Sequence, residues 1–314
     1  MSPKKRKPTV DLVIPVYNEA GVIEQIHAQI RAVIDRLACE FHFLYIDDGS
    51  SDGTVDSLRS IADSDPRVTV LTLSRNFGHQ AALTAGIDHS SGDIVISMDG
   101  DGQHPPELIP QMIELVKQGY DIVQAQRMAE SHPSFFKRWT SDTFYKLLNT
   151  ISGTHVVSGA ADFRAMSRQV VDALKAMPEY HRFLRGMISW MGYSSVILPY
   201  HQPGRVAGRS KYSLGKMLRL ASDAIFSFSL IPLYIGLSSG IFFFALAFVQ
   251  LTYVLVLWIT GQTEQVVAGW SSLMGVLLIA SGIIMILLGF IGVYVGYIFQ
   301  EVKRRPVYLL KKGE

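Results

Sequence analysis

Apolar runs rich in β-branched residues alternate with helix-like patterns through the first 200 residues. The apolar runs predict five strands, at 9–16, 41–47, 68–74, 93–99 and 121–125. Helical spacing predicts the helices between them, near 20–38, 54–64, 78–90 and 106–119. Because the runs are continuously apolar, we expect a doubly wound α/β fold with a mostly parallel sheet. The less regular region 126–200 predicts further helices and at least one more strand, near 193–199.

The pattern changes in the last third of the chain. Residues 213–230 have apolar positions at helical spacing, with Lys216 and Arg219 on the polar side. This is typical of an amphipathic helix on a membrane surface or docked against the domain. Two uncharged runs follow, 31 residues from Leu230 to Thr260 and 36 residues from Gln265 to Gln300. Because about 20 apolar residues cross a bilayer as a helix, each run predicts one transmembrane helix.

Composition and charge agree with this division. The chain is 48% hydrophobic and 18% charged, which excludes a disordered protein. Residues 230–314 hold 8 of the 56 charged residues, whereas residues 1–229 hold 24 basic and 24 acidic ones. Neutrality over the first 229 residues argues against a nucleic-acid-binding protein. The single cysteine, Cys39, permits no disulfide within the chain and no cysteine-cluster metal site, as expected in a reducing cytosol.

Basic residues flank the two apolar runs on their outer sides, while the segment between them, Gly261–Gly269, holds one charge, Glu264. The positive-inside rule therefore predicts that both termini and the first domain are cytoplasmic. The basic start, MSPKKRKP, has no apolar segment behind it and is not expected to be a signal peptide. The predicted organisation is a basic tail (1–8), a cytoplasmic α/β domain (9–212), an amphipathic juxtamembrane helix (213–230), two transmembrane helices (231–300) and a basic cytoplasmic tail (301–314).

Polar clusters follow three of the predicted strands, at Asn18-Glu19, Asp47-Asp48 and Asp99–Asp101. Ligands of parallel sheets bind beyond the carboxyl ends of the strands, where these clusters fall. Two aspartates one residue apart can converge on Mg²⁺ or Mn²⁺, with substrate phosphates as further ligands. The alternative for each cluster is an ordinary Asp/Gly turn or helix cap. No phosphate-binding G-x-x-x-x-G-K-[ST] loop, G-x-S-x-G elbow or H-E-x-x-H pair occurs in the chain.

Five motifs in sequence order carry a family resemblance. They are IPVYNE (14–19), IDDGSSDGT (46–54), SMDGDGQHPPE (97–107), SGAADFRAM (158–166) and GRSKYS (208–213). Their order and spacing resemble glycosyltransferase family 2, which has the GT-A fold. With two membrane helices after the domain, the chain is similar to the polyisoprenyl-phosphate glycosyltransferases, which include bacterial bactoprenol glucosyltransferases and the dolichyl-phosphate sugar synthases.

The resemblance implies an inverting transfer of a sugar from a nucleotide sugar to polyprenyl phosphate. Glucose carried by UDP is the expected donor, Mg²⁺ or Mn²⁺ the expected cofactor, and a sugar donor for cell-envelope glycosylation the expected product. It also implies a multi-pass protein of the inner (plasma) membrane that forms a homo-oligomer, a tetramer in the family. A lipid phosphate is already anionic at neutral pH, so its attack needs no strong general base.

The resemblance also implies roles for individual residues. Nucleotide-sugar contacts are implied for Pro15, Tyr17, Glu19, Asp48, Asp99, Gln103 and Arg164, and catalytic roles for Asp101, Asp162, Arg209 and Lys211. Asp101 is implied as the direct metal ligand, with Asp99 facing ribose or metal-bound water. Arg209 and Lys211 resemble the basic residues that clamp pyrophosphate and lipid phosphate.

Several of these residues have alternatives. Asp47 is expected to be the structural neighbour of Asp48, and Glu19 is alternatively a carboxylate at a helix N-terminus. Arg164 can pair with a phosphate or with its neighbour Asp162. Arg209 and Lys211, in the motif GRSKYS, are alternatively part of a solvated loop or a membrane anchor.

Two rival functions remain. A processive polysaccharide synthase of the same family carries a Q-x-x-R-W motif and more membrane helices, whereas this chain has only the fragment Arg138-Trp139. A catalytically inactive scaffold or sugar-nucleotide sensor is disfavoured by the intact Asp99, Asp101 and Arg209. A turnover assay with labelled donor separates the second rival from an enzyme.

Overall fold

The structure, a computed structural model, describes residues 6–128, 160–200, 231–261 and 269–311. The chain divides into two compact units. One unit comprises residues 1–221 together with 305–314, and the other comprises residues 222–304. The predicted amphipathic helix at 213–230 lies outside the described residues.

The first unit is built on a seven-stranded sheet. Its strands are β1 (Thr9–Val16), β2 (Glu40–Asp47), β3 (Val68–Thr72), β4 (Ile94–Ser97), β5 (Ile122–Arg127), β6 (Ala160–Ser167) and β7 (Ser195–Tyr200). The helices among its described residues are α1 (Ile23–Ile34), α2 (Thr54–Ser64), α3 (His79–His89), α4 (Ile109–Lys117), α5 (Arg168–Ala176) and α6 (Leu184–Trp190). A short 3₁₀ turn, Pro106–Leu108, precedes α4. The elements predicted from the sequence pattern are confirmed, with ends that differ by four residues at most.

The strand order is β3-β2-β1-β4-β6-β5-β7. All strand pairs are parallel except those of β6, which runs antiparallel to both β4 and β5. The mostly parallel α/β sheet is therefore confirmed. Sequence pattern did not single out β6 because its segment, AADFRAMS, carries Asp162 and Arg164 where an apolar run was sought.

The core lies on both faces of the central strands. All eight residues of β1 are buried, and α1 packs its apolar face on the sheet through Ile23, Ile30 and Ile34. Helix α3 approaches the other face so closely that a Cβ atom on Gly86 would lie 2.2 Å from Cγ1 of Val13. This close packing fixes α3, whose first residue belongs to the candidate site described below.

The described part of the second unit forms two long helices, α7 (Ile231–Ile259) and α8 (Trp270–Lys303). They pack together so closely that a Cβ atom on Gly236 would lie 2.2 Å from Cδ2 of Leu287. Among the described residues, one helical stretch, Ile279–Lys303, is long and apolar enough to cross a membrane. The structure thus agrees with one of the two predicted transmembrane spans.

The end of the chain differs from the prediction of a basic tail over 301–314. Helix α8 continues to Lys303. Beyond it, Leu310 forms an antiparallel β-bridge with Leu73, next to the end of β3. The basic composition gave no sign of this pairing, because the pairing uses backbone groups, which every residue except proline supplies in full.

Candidate active site

The loops that follow β1 and β2 are joined to each other by hydrogen bonds. The amide of Asn18, a residue with φ of +55°, donates to Oγ of Ser50 at 2.9 Å, and its Oδ1 accepts from the Ser51 amide at 2.9 Å. The amide of Glu19 donates to Oγ1 of Thr54 at 2.9 Å. These contacts make the motifs IPVYNE and IDDGSSDGT one structural unit at the carboxyl edge of the sheet.

Both aspartates at the end of β2 are buried and bind backbone amides. Asp47 accepts from the Ser50 amide through both oxygens at 3.2 Å. Asp48 accepts from the amides of Phe77, at 2.7 Å, and Gly78, at 2.9 Å. Burial raises the pKa of Asp48, although these amides oppose the shift. Asp47 therefore shapes its own loop, whereas Asp48 holds the connection that leads into α3.

A buried histidine fixes the first aspartate of the D-G-D motif. Nδ1 of His104 accepts the backbone N–H of Asp99 at 2.9 Å, and the ring stacks on Phe163 with centroids 5.1 Å apart. Because Nδ1 accepts, the neutral imidazole carries its proton on Nε2. That nitrogen lies 3.6 Å from Oδ2 of Asp99. His104 thus holds the backbone of this aspartate through a hydrogen bond.

The two carboxylates of the motif differ in their partners. Asp101 accepts from the backbone amide of Gln103 at 3.1 Å and also from its side-chain amide. Oδ1 of Asp99 is buried and accepts no hydrogen bond among the described residues; Nε2 of His79 lies 3.5 Å away. In the described part of the chain, no group of three or more histidine, cysteine and acidic side chains could hold a metal by itself. An unsatisfied buried carboxylate oxygen beside a second carboxylate fits a divalent cation completed by substrate oxygens.

Strand pairing brings a third aspartate to the same edge. In the antiparallel register of β4 and β6, Ser97 lies opposite Arg164. Extending that register by two residues places Asp162 opposite Asp99. The hydroxyl of Ser97 donates to the backbone carbonyl of Asp162 at 2.7 Å. The motifs SMDGDGQHPPE and SGAADFRAM therefore meet through β-sheet geometry.

Three basic side chains surround the carboxylate of Asp162. Arg164 donates to Oδ1 at 2.7 Å. Arg185, from α6, grips both oxygens with its Nε and Nη2 atoms at 3.0 Å. Nε2 of His79, the first residue of α3, lies 3.2 Å from Oδ2. We call these four side chains the Asp162 cluster.

The pKa shifts within the cluster favour the carboxylate form of Asp162 and the protonated form of His79. Burial would raise the pKa of Asp162, but Arg185, His79 and Arg164 hold it well below its usual range. Burial would lower the pKa of His79, but the hydrogen bond to Asp162 and the charge of Asp99 outweigh it and raise this pKa to about 9. Burial lowers the pKa of Arg164. Asp162 is therefore a carboxylate with both oxygens engaged, suited to hold cations in place rather than to accept a proton.

The sheet edge gathers most of the site residues predicted from the sequence. Those at the ends of β4 and β6 are Asp99, Asp101, Gln103, Asp162 and Arg164. Pro15 is buried in β1, and Tyr17 follows it with 39% of its surface exposed. Arg164 is 2% exposed and pairs with Asp162, the second of its two predicted partners, rather than presenting its guanidinium to a phosphate. Arg209 and Lys211 lie outside the described residues.

Sequence reasoning missed three residues of this site: His79, His104 and Arg185. His104 lies within the motif SMDGDGQHPPE, but the resemblance implies no role for it, and His79 and Arg185 lie outside all five motifs. One signal was available: a buried strand that contains an aspartate requires positive partners. Arg164, in the same motif as Asp162, could satisfy that requirement by itself. Nothing in the sequence therefore pointed to Arg185 or His79.

Comparison with known proteins identifies the family. A sequence model of glycosyl transferase family 2 matches residues 11–175. The chain is 40% identical over 302 residues to the uncharacterized glycosyltransferase YkcC of Bacillus subtilis (strain 168), covering 96% of this chain and 93% of that protein. It is 38% identical over 304 residues to the bactoprenol glucosyl transferase of Shigella phage SfII, covering 97% of this chain and 98% of that protein.

Among solved structures, mannosyl-3-phosphoglycerate synthase from Rubrobacter xylanophilus aligns with 69% of this chain and 72% of its own. The identity is 18% and the TM-score is 0.48. The family match spans β1 to β6 and includes Asp48, Asp99, Asp101 and Asp162. The resemblance inferred from the five motifs is confirmed: the chain belongs to glycosyltransferase family 2 and is a glycosyltransferase of the GT-A type.

Proposed function

We propose that this enzyme transfers a sugar from a nucleotide sugar to polyprenyl phosphate with inversion at the anomeric carbon. Glucose from UDP-glucose is the proposed donor sugar, and the product is a lipid-linked donor for cell-envelope glycosylation. The observation that carries the proposal is the meeting of Asp99, the first aspartate of the D-G-D motif, with the Asp162 cluster at the carboxyl edge of the sheet. The relative named bactoprenol glucosyl transferase, 38% identical over 97% of the chain, supports the sugar and the acceptor.

Asp101 and Asp99 are the residues that would hold Mg²⁺ or Mn²⁺. Oδ1 of Asp99 supports this assignment, because it is buried and has no hydrogen-bond partner within the described part of the chain. The cation would neutralise the charge that builds on the departing diphosphate. Gln103 holds both oxygens of Asp101 and thereby orients that carboxylate.

The nucleotide is proposed to bind across the joined loops after β1 and β2. Tyr17 offers an exposed ring, and Glu19 can accept hydrogen bonds from ribose hydroxyls. Asp48, at the end of β2, keeps acceptor capacity beyond its two backbone partners, since a carboxylate offers about four acceptor sites. Asp48 can therefore hold the loop and still accept a base N–H.

The acceptor determines what the protein must do. A phosphate oxygen is already a nucleophile at neutral pH, so the site must hold two anions together rather than remove a proton. The ionised Asp162, with four hydrogen bonds from basic side chains, fits an orienting role. Arg209 and Lys211 are proposed to clamp the phosphates through charge-assisted hydrogen bonds.

The membrane part of the proposal places both α7 and α8 across the bilayer, with residues 213–230 at its cytoplasmic surface. The two uncharged runs and their basic flanks support this arrangement. It explains how a wholly apolar prenyl chain is presented to a site in the cytoplasm. The proposed assembly is a homo-oligomer, a tetramer as the family resemblance implies.

The direct test is transfer of radiolabelled sugar to undecaprenyl phosphate by the purified full-length protein. UDP-glucose is compared with other nucleotide sugars in the presence of Mg²⁺ or Mn²⁺. We expect a lipid-linked glucose whose formation stops in excess EDTA. Transfer to no lipid phosphate from any nucleotide sugar would contradict the proposal, and full activity in EDTA would contradict the metal assignment.

Gly100, between the two aspartates, allows the motif to approach β1. A Cβ atom there would lie 2.5 Å from Cγ1 of Val16 and 3.2 Å from the backbone oxygen of Pro15. Gly100→Ala should therefore push Asp99 and Asp101 away from the sheet and lower kcat about 10- to 100-fold. Overpacking of this kind should also cost about 1–3 kcal/mol of stability.

Gly21→Ala is the matched control. Gly21 lies in the loop after β1, and a Cβ atom on it would meet no other atom within 4 Å. The rate and thermal midpoint of this variant should match those of the unmodified enzyme. Wild-type kcat in Gly100→Ala would show that the aspartates tolerate displacement.

The orientation in the membrane is tested with one cysteine in a Cys39→Ser background. Gly261–Gly269 joins the two apolar runs and is predicted to face outward. Thr263→Cys should react with an impermeant thiol reagent in intact cells, and labelling that needs cell lysis would reverse the orientation. The unmodified protein is the control, because its Cys39 belongs to the first unit and should react only after lysis.

A further inference from the structure

The last residues of the chain extend the sheet of the first unit. Val307–Lys311, here called the C-terminal edge segment, runs beside the end of β3. The amide of Ser74 donates to the carbonyl of Leu309 at 2.8 Å, and the amide of Lys311 donates to the carbonyl of Thr72 at 2.9 Å. These two hydrogen bonds flank the antiparallel bridge between Leu73 and Leu310. Strand β3 is otherwise the outer strand on this side of the sheet.

Tyr308 connects the same segment to the far end of α3. Its hydroxyl donates to Oδ2 of Asp88 at 3.3 Å, and its ring meets that of His89 edge-on, with centroids 6.1 Å apart. Burial and the negative charge of Asp88 raise the pKa of Tyr308 to about 12. The segment therefore contacts the chain at two places, before α3 begins and where α3 ends.

Residues 73–79 run from the first of these contacts to the start of α3. This connection carries part of the active site. Its amides at Phe77 and Gly78 bind Asp48, and His79 binds Asp162. On its other side it rests against the end of β2. There Gly49 has φ of +69°, and a Cβ atom on it would lie 2.5 Å from the backbone carbon of Arg75.

From these contacts we infer that the C-terminal edge segment is a positioning element of the active site. It holds the 73–79 connection against the end of β2, so that Asp48 and His79 keep their places. The carbonyl of Leu309 and the amide of Lys311 hold the start of the connection through backbone hydrogen bonds. Tyr308 holds the end of α3 through its side chain. Only the kinetic part of the test rests on the proposed function.

Backbone pairing offers a clean test at Lys311. Lys311→Pro removes the amide that donates to Thr72, whereas Lys311→Ala removes the same side-chain charge and keeps the amide. Amide hydrogen exchange is measured on the full-length protein without substrate, and kcat and the donor KM are measured with it. Tyr308→Phe, which removes the hydroxyl but keeps the ring, is a second variant that retains the strand pairing.

In Lys311→Pro, exchange at Ser74, Phe77 and Gly78 should accelerate roughly tenfold or more, since lost pairing exposes the connection to local opening. The donor KM should rise and kcat should fall by roughly tenfold, since small displacements of site residues are costly. Lys311→Ala should change neither. Tyr308→Phe should accelerate exchange at the last turn of α3, around His89, by a smaller factor.

A merely structural segment would behave differently. Lys311→Pro would then lower the melting temperature while leaving exchange at 73–79 and both kinetic constants unchanged below that temperature, and this result would overturn the inference. If the unmodified protein transfers no sugar at all, the proposed function fails. The exchange measurements still decide the role of the segment, because they need no activity.

Discussion

We expect Asp101→Asn to abolish sugar transfer while leaving the protein folded. The amide keeps the shape of the side chain but loses the negative charge and one oxygen, which are what a divalent cation requires. We expect kcat to fall by about 10³-fold, the upper range for losing one electrostatic contact to developing charge. The partly exposed Asp101 makes its described hydrogen bonds to Gln103 nearby in sequence, so the thermal midpoint should change little.

Asp63→Asn, on the exposed side of α2, is the control for losing a carboxylate from the surface. It should retain the rate of the unmodified enzyme. An Asp101→Asn enzyme with more than about a tenth of that rate would falsify the assignment of Asp101 as the metal ligand, because losing one charge-assisted contact should lower the rate more than about tenfold. Loss of the folded baseline in circular dichroism would instead show that the residue is structural.

The first half of the site could be predicted because its residues follow strands directly. Asp99 and Asp101 come after an apolar run, and the carboxyl ends of parallel strands share one edge. The same rule located Asp48 at the end of β2. Its partners, Phe77 and Gly78, were not predictable, because a backbone amide is present at every residue except proline and sequence does not mark which ones are used.

The second half depends on contacts between distant parts of the chain. Arg185 reaches Asp162 from α6, and His79 reaches it from α3. Neither residue lies in a periodic or motif position that distinguishes it from a surface cation. Strand β6 was not predicted because Asp162 and Arg164 interrupt its apolar pattern. Both side chains are nevertheless buried in the structure.

The Asp162 cluster predicts the second large effect. Removing one cation from this cluster should lower the free energy of unfolding less than removing the carboxylate of Asp162. Arg185→Ala deletes a bidentate contact but leaves Asp162 with Arg164 and His79, so we expect a loss of about 2 kcal/mol in unfolding free energy. Asp162→Asn leaves the guanidinium groups of Arg164 and Arg185 without their counter-charge, and an uncompensated buried charge typically costs about 3–5 kcal/mol. Chemical denaturation of the purified variants measures both.

Activity separates orientation from charge within the same cluster. Arg185→Lys keeps the positive charge but cannot reproduce the planar fork that holds both oxygens of Asp162 at 3.0 Å. If Asp162 orients the reacting groups, kcat in Arg185→Lys should fall about tenfold, and in Arg185→Ala about 100-fold. Equal rates in the lysine variant and the unmodified enzyme would show that charge alone suffices.

A double-mutant cycle joins the two measurements. Arg185→Ala in an Asp162→Asn background should cause little further loss of stability, or even restore some, because it removes one of the cations that lack a counter-charge. The coupling free energy between the two residues should therefore be about 0.5–3 kcal/mol, the range for residues that share one hydrogen-bond network. Additive losses would mean that each side chain acts through other neighbours. In that case the hydrogen bonds between Arg185 and Asp162 would not be what fixes this edge of the sheet.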